Sequence, residues 1–205
     1  MATIQQIMDD VVAETRRPDL TTRIERAVKN ALLRIHQSEL FAADLFEGRI
    51  GSTAYTSVAP DSRFVIPLTD MTRFRLFNKL HDYDATNAII GQEYSIEDNP
   101  NFQLNSLGAV RKRIARRAGS SIIVFAGDAL GSTRSFYGSY YRDPDLTSLS
   151  GTTWITDRHP YAVMWAAVAA IHRGNGNAEQ ANAATADAQI EYGNILTNAL
   201  NLQGR

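Results

Sequence analysis

The 205-residue chain contains no cysteine. That excludes thiol nucleophiles, zinc–thiolate sites, iron–sulfur clusters and disulfide staples, and it fits folding in a reducing cytosol. An excess of one charge is missing as well: 21 Lys and Arg stand against 22 Asp and Glu, a formal net charge of −1. Proteins whose main work is gripping nucleic-acid phosphates carry a basic surplus, so that class is disfavoured. No long apolar run is present. The stretch that closes at Ile171 falls far short of the about 20 apolar residues a membrane helix needs. The opening segment MATIQQIMDDVVAETRRPD places Asp9, Asp10 and Glu14 where a secretory leader would be basic and then apolar. A soluble chain made in the cytoplasm, with no membrane partner, is the expectation.

Catalytic signatures are missing too. Neither G-x-S-x-G nor G-x-x-x-x-G-K-[ST] nor H-E-x-x-H occurs. His36, His81, His159 and His172 do not pair at ligand spacing. The most ligand-like cluster, HDYD at His81–Asp84, reads better as a polar strand end or turn, because a metal needs several converging groups. No catalytic residue, metal or cofactor is predicted. A small hydrolase using Asp82 and Asp84 stays as a minor alternative.

What the chain does have is a globular composition, 44% apolar and 21% charged, and enough length to bury a core without staples. Ile4, Ile7, Met8, Val11 and Val12 recur at helical spacing, predicting a helix over 3–15 that Pro18 ends. Asp19 or Thr21 can cap a second helix, which runs to about residue 40 with Ile24, Ala27, Val28, Ala31, Leu32 and Ile35 on one stripe. The middle of the chain alternates, in RFVIPL, RFRLFNKL, SSIIVFAG and RSFYGSYYRDP, as strands do. From Asp157, helical patterning returns: Thr156 or Asp157 as cap, Pro160 in the first turn, a stop at GNGN, then a last helix over 178–200. The fold class is therefore α+β, a helical bundle from the N- and C-terminal helices with a β-rich insertion in the middle. Its segments are 1–44, 45–156 and 157–205, one composite domain.

Two groups of residues stand out. The basic run RKRIARR supplies Arg111, Lys112, Arg113, Arg116 and Arg117, candidates for a DNA channel or an interface. It reads either as a phosphate-contacting stripe or as a solvated face that meets acidic residues of a neighbouring chain. The second is favoured, because no aromatic residues interleave for base stacking. Val110, Ile114 and Ala118 would suit a helix; a turn at Ala118–Gly119 would suit a hairpin, the preferred reading. The second group is Trp154, Tyr161, Trp165, Ala166 and Ala169, candidates for helix packing. An alanine face at Ala162, Ala166, Ala169 and Ala170 gives little burial per residue, so it must lie close against another helix.

The order of these parts, IERAVKNALLRIHQSELF, then RFVIPLTDMTRFRLF, SSIIVFAG, YYRDPDLTS, TTWITDRHPYAVMWAAVAA and a final alanine-rich helix with Tyr192, resembles the head-to-tail adaptor (connector) proteins of tailed bacteriophages. The resemblance covers nearly the full chain and has no match for the basic run. It implies a structural virion protein at the head–tail junction, without catalytic residues. It also implies a homo-oligomeric ring, typically a dodecamer, bound between the portal protein and a tail or nozzle protein, with DNA passing through the channel without specific binding. A tail terminator or tube subunit is the alternative from the same virion; a nucleic-acid-binding module using the basic run ranks behind both.

Overall fold

The computed structural model describes residues 2–59, 62–97 and 113–203, the side chains of 200–203 excepted. Helices occupy both ends of the chain and strands the middle, an α+β protein. The chain divides into two compact units, residues 1–44 with 143–205, and residues 45–142.

In the first unit, α1 (Ile4–Thr15) opens on a capping box. Thr3 Oγ1 accepts from the Gln6 amide at 3.1 Å, and Gln6 Oε1 accepts from the Thr3 amide at 2.8 Å. Two more of the helix's free N–H groups are met from far along the chain: Ile4 N donates to Gly151 O and Gln5 N to Leu149 O. The segment 143–153 thus belongs with the helices, where the sequence grouped it with the strands, and Leu146 and Leu149 pack on the same core. α2 (Thr21–Ser38) starts without a side-chain cap; Asp19 is instead engaged by Arg17 at 2.8 Å. Ile24, Val28, Ala31, Leu32 and Ile35 are buried, as their spacing dictates.

The returning helix is two helices. α3 (Trp154–Arg158) is capped by Thr153, whose Oγ1 accepts from the Thr156 amide, while Thr156 answers with its own hydroxyl. Neither Thr156 nor Asp157 is the cap. α4 (Pro160–Gly174) then begins with Pro160 in its first turn, and His159 between them leaves helical geometry at φ −137° and ψ 49°. The cause is steric: a proline ring pushes the preceding residue out of the α region. α4 packs against α1, α2 and α5 (Ala178–Gln203) together. A helix with three neighbours is apolar nearly all round, and alanine lets them approach closely. Ala162, Ala167 and Ala169 are fully buried, Ala166 partly, and Ala170 is exposed, contrary to its expected place on the packed face. From α5, Ala181, Ala184 and Ile195 are buried, and Tyr192 donates its hydroxyl to Ser38 Oγ at 2.8 Å.

The second unit is two four-stranded sheets. One has the order β1 (Leu45–Thr56), β8 (Thr133–Arg142), β3 (Phe74–Asp84), β4 (Ile89–Glu93), antiparallel throughout. The other has the order β2 (Phe64–Pro67), β7 (Ser121–Phe125), β6 (Ile114–Ala118), β5 (Ser95–Ile96), with β5 parallel to β6. One core joins them: Ile50, Leu80, Phe136 and Tyr140 from the first sheet, Phe64, Ile66, Ala115, Ile122 and Val124 from the second, with Met71 and Tyr94 from the connections. The described end of the basic run is a strand and not a helix: β6 turns into β7 through Gly119 and Ser120. Gly119 has φ +60°, the left-handed conformation that the first central residue of a type II′ hairpin turn requires. Gly138 in β8 answers a different need. A Cβ there would lie 2.7 Å from Ile50 Cδ1 and 3.1 Å from Lys79 O.

Candidate functional site

Charged side chains converge at one place in the β unit. Asp82 on β3 accepts from Tyr94 Oη at 2.5 Å and pairs with Arg134 of β8 at 2.8 Å; Arg113, just before β6, donates to the same carboxylate. Arg134 also forks onto Asp128, its Nη2 to Oδ1 at 2.7 Å and its Nε to Oδ2. The series Asp128–Arg134–Asp82–Arg113 alternates in sign and crosses from one sheet to the other. The Arg134 guanidinium holds the Asp128 carboxyl below its usual range, Asp128 pushes Arg134 up, and burial with a hydrogen bond to Asp82 pushes the Tyr94 phenol up. Arg113 lies 5.3 Å from the Tyr94 ring centroid. The oxygens of both carboxylates are taken up by these partners and are not left free for a substrate. The arrangement fastens two sheets together.

The other acid of HDYD has a local duty. Asp84 accepts from the Thr86 and Asn87 amides at 2.9 and 3.2 Å and from Asn87 Nδ2 at 2.7 Å, closing the β3–β4 turn. The described residues hold no group of three His, Asp or Glu able to bind a metal.

In the helical unit a second buried polar group surrounds Trp154. Asp44 Oδ1 accepts from Trp154 Nε1 and meets His36 Nδ1, both at 2.8 Å. His36 is 2% exposed and Asp44 8%. Phe41 and His36 stand edge-on to the indole at 5.0 and 5.6 Å. Trp154 thereby ties the start of α3 to the end of α2, a role in keeping with a packing residue. Neither Asp44 nor His36 carries a sequence signal for this, since only the fold brings them to Trp154.

Of the basic run, Arg111 and Lys112 lie outside the described residues. Arg113 is committed to Asp82 and Tyr94. Arg117 is exposed beside the Phe74 ring, 5.9 Å from its centroid, and Arg116 is half-buried on the other face of β6. Among the described residues, Arg113, Arg116 and Arg117 do not share one stripe. Among the helix-packing candidates, Ala169 is buried, Trp165 and Ala166 are half-buried, and Tyr161 is 59% exposed. Trp165 borders a groove of about 490 Å³ with Arg16, His172 and Asp187. Other large apolar side chains are also exposed, notably Ile190 on α5 and Ile89, Ile90 and Leu130 in the β unit.

A family model described as SU10 adaptor protein matches residues 2–205. The chain belongs to the SU10 adaptor protein family. Membership agrees with the resemblance to phage head-to-tail adaptors read from the order of elements. It makes this adaptor a structural protein of a bacteriophage, a component of the virion. No curated protein matches the adaptor's sequence. Among its described residues no helix is long and apolar enough to cross a membrane.

Proposed function

We propose that this adaptor assembles into a ring of identical copies, a dodecamer, that binds under the portal, carries the tail or nozzle protein, and lengthens the channel through which DNA passes. The observation that carries the reading is the family match along the whole chain. In this reading the helices of both chain ends form a bundle and the strands an insertion in it. Three physical features support it. A near-neutral chain suits a conduit, since a strongly basic lining would hold DNA by counterion release and slow its passage. Arg113 is neutralised within its own chain, which favours a lining that does not grip. Exposed apolar side chains on both units, Tyr161 and Ile190 on helices and Ile89, Ile90 and Leu130 on the β unit, supply surface for partners.

Electron microscopy of the purified chain, alone and with its portal ring, tests the proposal. A closed ring of defined symmetry on the portal is expected. A chain that stays monomeric with the portal present overturns it, and open tubes would assign it to the tail instead.

A further inference from the structure

Among the described residues the sheet β1-β8-β3-β4 has four strands, all antiparallel, so its two edge strands run in opposite directions. That parity has a consequence for assembly. A second copy set beside the first in the same orientation brings β4 of one against β1 of the next in antiparallel sense, the sense of every other pair in the sheet. A head-to-tail contact of this kind joins two different surfaces of one chain, as a ring demands.

The side chains on those edges match. Arg49 is paired with Tyr137, Tyr137 with His81, and His81 with Glu93, so these four residues form one row on one face across all four strands. The row begins with an exposed cation on β1 and ends with an exposed anion on β4. Among the described residues neither Arg49 nor Glu93 has an ion-pair partner. A neighbouring row on the same face runs Glu47, Ser139, Lys79 and has the opposite sense. Continuing the sheet into an identical copy therefore sets Glu93 beside Arg49, and Lys79 on the side of Glu47. β1 keeps a regular register over Leu45–Ile50, which the Glu93–Arg49 pairing uses, and Ile90 and Ile89, 47% and 57% exposed, then lie toward the irregular, exposed stretch of β1 between Ile50 and Tyr55. Edges of natural sheets are commonly guarded by proline, lysine or a bulge; β4, IIGQE, has no proline or lysine, nor does β1, whose bulge lies beyond Ile50 and leaves Leu45–Ile50 regular.

We infer that neighbouring copies join through this sheet, the β4 edge of one, with Glu93, Ile89 and Ile90, against the β1 edge of the next, with Arg49. The inference rests on the ring reading and names the surface that would make it.

The chain's lack of cysteine makes the test direct. The full-length double variant Arg49→Cys/Glu93→Cys, oxidised at assembling concentration, should give a covalent ladder up to the ring, since opposed strand residues have Cβ atoms within about 4.5–5.5 Å. Independently, Arg49→Glu or Glu93→Arg should each raise the concentration for half-assembly roughly tenfold by opposing like charges. The double swap should restore it, measured by mass photometry. Rings that form normally while the cysteine pair gives no ladder, or that ignore both single swaps, overturn the edge contact and leave the ring reading standing. A covalent dimer from Arg49→Cys alone overturns it in favour of a two-fold contact between β1 edges. A wild-type chain that remains monomeric with and without the portal overturns both.

Discussion

Replacing Asp82 by alanine should loosen the β unit, and by an amount the geometry bounds. Three partners converge on this carboxylate, Arg113, Arg134 at 2.8 Å and Tyr94 at 2.5 Å. Charge-assisted hydrogen bonds contribute about 1.5–3 kcal/mol each when buried. Here the side chains of Asp82, Arg134 and Arg113 are 17%, 25% and 26% exposed, which screens them toward the low end. Arg134 also keeps Asp128 after the substitution, whereas Arg113 loses its hydrogen-bonded carboxylate and faces the Tyr94 ring. A net loss of about 2–3 kcal/mol follows, or a fall of about 5–10 °C in the thermal midpoint if the chain melts in one step. Urea unfolding followed by circular dichroism, with scanning calorimetry beside it, measures both. Asp84→Ala is the control, since its carboxylate only closes an exposed turn, where solvent screens the interaction, and the loss there should be the smaller one. A loss at Asp82 below about 1 kcal/mol, or no greater than at Asp84, refutes the idea that this network fastens the sheets.

Asp128 gives a pH test. Its carboxyl is held below the ordinary value by Arg134, so the associated stability is present above about pH 4 and is lost as the pH falls through the lowered folded value. Urea midpoints measured from about pH 5 down to about pH 2 should fall in the wild type and fall less steeply in Arg134→Met. Gly138→Ala should cost about 1–3 kcal/mol by driving a methyl into Ile50, and Ile50→Val in the same chain should recover part of it, a coupling that a double-mutant cycle reads directly. Trp154→Phe should cost about 1–2 kcal/mol, because the Asp44 carboxylate loses its indole donor in a buried place, seen as an earlier chemical-denaturation midpoint.

Periodicity carried most of the helical unit. Ile4, Ile7, Met8 and Val11 point inward because a 3.6-residue repeat leaves them nowhere else to go, and the alanines of α4 announce close neighbours even before those neighbours are known. The starts of helices were harder to read. Asp157 looks like a cap by type, but Thr153 takes the position because Pro160 forces a break at His159 and shifts the whole first turn back. The charged network was half legible: HDYD drew attention to Asp82, but Tyr94, Arg113 and Arg134 meet it, and Asp128 joins through Arg134, only once the strands pair. The row Arg49–Tyr137–His81–Glu93 was not legible at all. It depends on the register of three strand pairs, and a one-residue slip in any of them would scatter it to opposite faces.

The β unit begins at Leu45 and finishes at Arg142, and Leu45 is the strand partner of Tyr141. The chain thus leaves the helical unit and comes back to it at neighbouring points on one ladder, a strand spacing apart. A segment whose two ends already meet imposes no span on its host, so its loops and strands can lengthen, shorten or be exchanged while the helices before Asp44 and after Asp143 keep their course.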